Sequence, residues 1–294
     1  MDRPTLALIG CGRWGKLVLR DLRELGCEVH VVARSAASIE RAREGGAASL
    51  VDAIGALPAV DGAVVATGTS THAAVVGETL GLGVPVFCEK PLSDDPEAAA
   101  RLAASADGRL FVMDKWRYHP GVEELARIAR EQELGPVVGL VCERIGWGNP
   151  HDDVDAIWVL VPHDLSIARE ILGAVPAARA AAAEPRGAGL TALLGDDPWL
   201  QLIVSSTSGE RRRAVRLHCR EGTAWFADAF ADHVGVMRHG AAEPEHRPVG
   251  DRMPLLAELE AFVAHLDGGP TPRSSAAEGA EVVARIAELR ALAA

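Results

Sequence analysis

The chain is short of aromatic rings, short of cysteine and short of basic charge. Phenylalanine, tyrosine and tryptophan make up 4% of its 294 residues, and much of the 48% hydrophobic content is alanine and aliphatic. Lysine and arginine number 30 against 41 aspartates and glutamates, a net charge of -11. An acidic surface repels phosphate backbones and anionic lipids, so no nucleic-acid and no membrane partner is expected. The one dense basic run, Arg211-Arg212-Arg213 after Gly209-Glu210, reads as a hairpin turn carrying solvated charge. The five cysteines, Cys11, Cys27, Cys88, Cys142 and Cys219, are odd in number and form no CxxC or His/Cys cluster. That spacing predicts reduced thiols in a cytoplasmic protein and no metal site. The first apolar run, Leu6 to Ile9, is too short for a signal segment or a membrane span. No internal repeat stands out, and the Ala-rich Ala177–Ala183 is the nearest approach to low complexity.

What is present is a change of pattern along the chain. Up to about Lys115, short apolar runs alternate with amphipathic ones: "TLALI" then "GKLVLRDLREL", "EVHVVA" then "SAASIERARE", "GAVVAT" then "THAAVVGETLGLG", "PVFCE" then "DPEAAARLAAS", and finally "RLFVMD". Continuous apolar runs between helices are the mark of parallel strands covered on both faces, so five strands and a doubly wound α/β sheet are predicted. Beyond "PGVEELARIAREQELG" come "PVVGLVCERIGW", "GLTALLG", "LQLIVSSTS", "RAVRLHCREGTAWFA" and "HVGVMRH" with turns between most of them. Strands without crossover helices predict a mostly antiparallel sheet. Two helical stretches, "PLLAELEAFVAHL" and "AAEGAEVVARIAELRAL", end the chain. The expected domains are 1–117, a Rossmann dinucleotide-binding domain, and 118–294, an α+β domain for substrate and assembly whose last helices pack back on the first.

Between the first strand and first helix, "LALIGCGRWGKLVLRDL" sets Gly10, Gly12 and Gly15 as GxGxxG. One glycine makes the tight turn, one admits a pyrophosphate to the backbone, and one allows close helix–strand packing. The helix N-terminus adds free N–H groups and partial positive charge. At the end of the second strand, where an acid would hold ribose hydroxyls, the sequence has Arg34 and Ser35. An arginine and a serine suit a 2′-phosphate, so NADP(H) is expected over NAD(H). "VPVFCEKPL" ends another strand with Glu89-Lys90-Pro91. Strand carboxyl ends are where such sheets bind ligands, and a lysine there polarises a reacting oxygen.

The N-terminal GxGxxG, the "VVATGTSTHA" strand end and "EKP", in this order, resemble the Gfo/Idh/MocA oxidoreductases. The resemblance extends over nearly the whole chain through "WRYHPGVEELARI" and the closing "PLLAELEAFVAHLDGGPTPRSSAAEGAEVVARIAEL". "GCGRWG" and "DAIWVLVPHDLSIAREILG" are similar to the branch acting on nucleotide-linked sugars. The resemblance implies a Rossmann domain followed by an open-faced sheet, a nicotinamide cofactor, hydride transfer at a carbon of a sugar or sugar-like alcohol, and a homo-oligomer formed through the sheet. It implies Lys90 and His163 as acid–base residues. It also implies a cofactor site built from Gly10, Cys11, Gly12, Arg13, Trp14, Gly15, Arg34, Ser35, Thr67, Gly68, Thr69, His72, Glu89, Lys90, Trp116 and Arg117. Gly68 stands where the family often has proline. Trp116 has an equal alternative as core packing.

One residue departs from the pattern. Four residues before the histidine the family has an aspartate; here it is Val159, which neither carries a proton nor orients an imidazole. Pro162 suits a first helical position, which would put His163 in a first turn, where the dipole disfavours imidazolium and keeps the ring neutral. Asp164 would complement the same dipole. Asp152, Asp153 and Asp155 lie just upstream as replacements for the missing carboxylate, or as solvated charge. Val159 therefore keeps two alternatives to an oxidoreductase open: a non-catalytic nicotinamide-binding sensor, and a redox-neutral, glycosidase-like enzyme that uses its cofactor transiently.

Overall fold

The structure, a computed structural model, describes residues 3–149 and 151–294. The chain folds as two compact units: residues up to Lys115 with Leu255–Val283, and Trp116–Pro254 with Ala284–Ala294. The first begins with β1 (Thr5–Ile9), α1 (Arg13–Glu24), β2 (Glu28–Val32), α2 (Ala36–Glu44), β3 (Ser49–Val51), β4 (Gly62–Val65), α3 (His72–Leu80), β5 (Val86–Glu89), α4 (Pro96–Ser105) and β6 (Leu110–Met113). Its six strands are all parallel, in the order β3-β2-β1-β4-β5-β6. The order reverses between β1 and β4, the arrangement that opens a crevice at the strand ends. Five of the strands are the apolar runs read from the sequence. The sixth, β3, is three half-buried residues at the sheet edge, too short to leave a hydrophobic run.

The second unit carries α5 (Pro120–Arg130), β7 (Val137–Trp147), α6 (Ala156–Leu172), β8 (Ala178–Ala183), β9 (Gly189–Leu194), β10 (Trp199–Ser205), β11 (Thr207–Cys219), β12 (Gly222–Phe226), β13 (His233–Arg238) and β14 (Glu245–Pro248). These strands form one sheet, β14-β13-β12-β11-β7-β10-β9-β8, antiparallel except where β7 meets β10. Alternate residues Leu140 and Cys142, Leu200 and Leu202, Val215 and Leu217 are buried, and α5 and α6 pack on the sheet. The Ala-rich segment is edge strand β8.

Two expectations are corrected here. α6 starts at Ala156, because Asp155 caps it by accepting from the Ile157 and Trp158 N–H groups. Pro162 therefore lies inside the helix and His163 about two turns in. The first-turn dipole argument for a neutral His163 loses its basis. Asp155 also accepts from Arg290 at 2.6 Å, so this acid is occupied as a structural group. The second correction is the basic run: Arg211-Arg212-Arg213 lies within β11, not in a turn.

The closing helices are α7 (Pro254–Leu266) and α8 (Ala276–Leu292). From Leu255, α7 belongs to the first unit: Leu255, Leu259 and Phe262 join the core around β1, β2, β4 and β5, and Phe262 stacks on Phe87 at 4.9 Å. Residues 118–294 are thus not one continuous body.

Candidate active site

The carboxyl ends of β1, β4 and β5, neighbours in the parallel sheet, carry most of the predicted cofactor residues. Gly10 adopts φ +93°, and a Cβ there would lie 2.7 Å from the Ala66 carbonyl oxygen. Only glycine serves that turn. Gly15 is pressed on the Gly10 carbonyl, where a Cβ would come within van der Waals overlap. Gly12 is different: a Cβ there would meet nothing within 4 Å, and Gly12 caps α1 without any side-chain hydrogen bond. The first N–H groups of α1 are therefore open to an anion, as a pyrophosphate needs. Cys11 is fully buried beneath the turn and Arg13 is exposed. Trp14 has Lys115 Nζ 4.0 Å from its ring centroid and a buried Nε1 without a hydrogen-bond partner among the described residues. These features fit a dinucleotide.

At the end of β2, Arg34 is exposed and donates from Nε to the Asp52 carbonyl at 3.0 Å. Ser35 caps α2, accepting from the Ser38 N–H and donating to the Ser38 hydroxyl. After β4, Gly68 sits at φ -70°, ψ 146°, values a proline also adopts, so the loop tolerates either residue. Thr69 is buried, while Thr67 is partly exposed and accepts from the Thr71 hydroxyl at 2.9 Å. His72 is buried with Nδ1 2.7 Å from the Pro91 carbonyl oxygen and Nε2 3.2 Å from that of Thr67. It ties the loop after β5 to the end of β4, which makes it a brace for Lys90.

Lys90 is 7% exposed. Around it the sequence hid a charged cluster. Glu258, on α7, is fully buried, and neither carboxyl oxygen has a hydrogen-bond partner among the described residues. Burial pushes its pKa well above the ordinary value; Glu89 and Asp114 push the same way, and Lys115 and Lys90 oppose them. Glu89 is also raised, chiefly by burial, against the pull of Lys90 and Lys115. The signal for Glu258 was available: it lies three residues from Leu255 and four from Phe262, on the apolar stripe of α7. In the unfolded chain Glu258 ionises at the ordinary carboxyl range while the folded protein keeps its proton. Stability therefore falls with rising pH above that range, by up to about 1.4 kcal/mol per pH unit, until the folded group ionises. Glu258→Gln is expected to remove this dependence, so that urea unfolding shows the variant gaining on the wild type between pH 5 and 8. A difference that stays flat across that range would rule out the buried proton.

In the second unit His163 is partly exposed, and Val159, one turn before it on α6, is buried. His163 lies edge-on to Trp116, with centroids 6.3 Å apart. The buried Trp116 ring stacks on His119 at 4.9 Å and carries the Arg144 guanidinium 4.4 Å from its centroid. Arg144 donates from Nε and Nη2 to Asp164 Oδ1 at 3.0 and 2.7 Å, both residues being buried. Asp164 is thus the partner of Arg144 rather than a helix-end charge. Arg117 is buried and held by Glu170 at 2.8 Å. Asp153 lies 3.6 Å from His151 Nδ1, and Asp152 is exposed. Among the described residues no group of three or more His, Cys, Asp or Glu side chains is placed to hold a metal. Among the described residues no helix is long and apolar enough to cross a membrane.

Residues 5–112 match the family model GFO_IDH_MocA, "Oxidoreductase family, NAD-binding Rossmann fold". Over 140 residues the chain is 34% identical to myo-inositol dehydrogenase Hyg17 of Streptomyces leeuwenhoekii, a match spanning 45% of this chain and 43% of that protein. It is 29% identical to the UDP-N-acetylglucosamine 3-dehydrogenase of Acidithiobacillus ferrooxidans over 74% of this chain and 71% of the relative. The solved structure of that dehydrogenase superposes with TM-score 0.85 at 24% identity, covering 99% of this chain and 98% of the other. KijD10, a 3-ketoreductase from Actinomadura kijaniata solved with NADP and TDP-benzene, superposes with TM-score 0.83 at 21% identity, over 99% and 98% of the two chains. At these identities the structural likeness speaks for the fold.

Proposed function

We propose that the chain, whose residues 5–112 match the Gfo/Idh/MocA oxidoreductase family model, is a member of that family and an NADP(H)-preferring enzyme that exchanges a hydride with a sugar or sugar-like alcohol or ketone. The observation that carries the proposal lies at the carboxyl ends of β1 and β5 in the parallel sheet. There Gly12 and the uncapped N-terminus of α1 leave a cradle for phosphates, two strands away from the buried Lys90. A bound nicotinamide dinucleotide would supply the hydride donor or acceptor. Lys90 would donate a hydrogen bond to the reacting oxygen and stabilise negative charge on it. Pinned through His72 and Pro91, it is a preorganised donor. His163 is the second proposed acid–base group.

The absence of an acid at the end of β2 supports the NADP preference, as does the exposure of Arg34, whose Nε is the nitrogen that donates to the Asp52 carbonyl. Its terminal nitrogens are left for a 2′-phosphate. NADPH is expected to bind at least about tenfold more tightly than NADH, and Arg34→Ala to erase most of that ratio. Fluorescence titration of both cofactors measures it, and equal affinities would end the NADP assignment. The reaction itself is tested by nicotinamide absorbance against a panel of polyols, sugars and nucleotide sugars.

Val159 favours a second proposal, a protein that binds the cofactor without turnover. Valine at this helix position leaves His163 without the family's carboxylate one turn away. Tight NADPH binding with no turnover over the whole panel would select this alternative. The family's assembly through the open sheet, and a cytoplasmic setting, are likewise proposed for this chain.

A further inference from the structure

The covered face of the second sheet is apolar along most of its length and turns basic at one end. On β7, Leu140 and Cys142 are followed on the same face by Arg144; on β11, Val215 and Leu217 are preceded on it by Arg213 and Arg211. The register sets Arg213 directly opposite Arg144. Like charges directly opposed across two strands are destabilising. The local acid does not balance them, because Asp164 takes both of its hydrogen bonds from Arg144 through one oxygen. Arg213 donates only to main-chain carbonyls, those of Ile145 and Arg212, and Arg211 rests over the ring of Phe230, 5.9 Å from its centroid. Among the described residues neither has a carboxylate at ion-pair distance; Asp164 and Asp228 act on Arg213 from farther off. The next residue on the strand supplies the contrast. Arg212 points to the opposite face and is neutralised by Glu143 at 3.1 Å and by Glu210.

We infer that Arg211 and Arg213 form an anion-binding subsite that takes the carboxylate or phosphate of an acidic sugar substrate. Paired guanidinium forks are made for such planar or tetrahedral oxyanions. Both side chains converge beside Gly146: a Cβ there would stand 3.6 Å from Arg213 Nη1 and Nη2 and 3.8 Å from Arg211 Cγ, ordinary contact distances. Burial and the neighbouring Arg144 and Arg211 make Arg213 less basic than an ordinary arginine, the condition an anion would relieve. The subsite connects to His163 through Arg144 and Trp116, the ring that both adjoin. The inference rests on the sugar-oxidoreductase reading and names its substrate class.

Calorimetric titration of the full chain, with and without NADPH, tests it with three probes at equal ionic strength: D-glucose, D-glucuronate and D-glucose 1-phosphate. At least one anionic sugar is expected to bind about tenfold or more tightly than glucose. Whichever anion wins identifies carboxylate or phosphate as the group recognised. Arg213→Gln is expected to remove the advantage and Arg213→Lys to keep part of it, with unchanged far-ultraviolet circular dichroism. Should Arg213→Gln fail to fold, Arg211→Gln, on an exposed position, reads the same loss. Three equal affinities, no binding by any probe, or an advantage that survives Arg211→Gln together with a folded Arg213 variant would overturn the inference. The NADPH arm separates the two readings. Anion preference without NADPH binding sinks the oxidoreductase and leaves the subsite; NADPH binding without anion preference does the reverse.

Discussion

Lys90→Ala is expected to lower kcat by about 10²–10³-fold, the range for losing one donor aimed at a developing oxyanion, while NADPH affinity changes little. The separation follows from the fold. The phosphates have their own cradle at Gly12 and the N-terminus of α1, on the turn after β1, whereas Lys90 follows β5. Lys90 as a residue is 7% exposed, so a hydrogen bond to the reacting oxygen acts in a medium that screens it poorly. Its loop is held by the His72 contact to Pro91, and it lies in a cluster where Glu89 and Glu258 both resist ionisation. With the Glu258 carboxyl, pushed well above the ordinary range by burial, holding its proton, less of the lysine's charge is cancelled and more acts on the substrate. Steady-state kinetics and cofactor titration of the variant measure the two effects. Retention of more than about a tenth of wild-type kcat would remove Lys90 from the proposed role.

The sequence disclosed those parts of the molecule whose physics is local. Buried parallel strands have to be continuously apolar, so five of six were legible; β3, half-buried and three residues long, has no such constraint. GxGxxG was legible because Gly10 and Gly15 answer steric demands, meeting backbone where a Cβ would be, while Gly12 leaves the approach to the start of α1 open. The start of α6 was not legible. Pro162 carries a strong preference for the first turn, and tertiary packing overrode it: Asp155 caps the helix earlier, and the segment from Ala156 to Pro162 is almost wholly buried. The charged groups that matter most, Glu258, Arg144 and Arg213, were invisible as partners because they meet only across long separations. Each nonetheless left a trace, a charged residue at a position where the period of its helix or strand calls for an apolar one.

Asp164→Ala is expected to destabilise the second unit by about 3–5 kcal/mol, the usual result of leaving one member of a buried ion pair alone. Its melting temperature should drop on the order of 10 °C. Arg144 would be left 3% exposed, opposite Arg213 in the sheet, with the Trp116 ring and no carboxylate against it. The intact pair is another matter. Burial raises the Asp164 pKa and outweighs the opposing pull of Arg144, so the charged carboxylate is less favourable folded than unfolded, even with its partner. Below the unfolded pKa both states are protonated and this penalty is absent. It grows as pH rises above that value and stops growing once the folded group ionises. Replacing both partners, Arg144→Met with Asp164→Leu, should therefore be close to neutral or stabilising, increasingly so as pH rises above the ordinary carboxylate range. Calorimetry and urea titrations of the single and double variants decide between these outcomes. A single variant within about 1 kcal/mol of wild type would mean that Arg144 reaches water or another anion when Asp164 is gone. A double variant as unstable as the single one would show that the pair holds α6 against β7 by geometry rather than by cancelling charge.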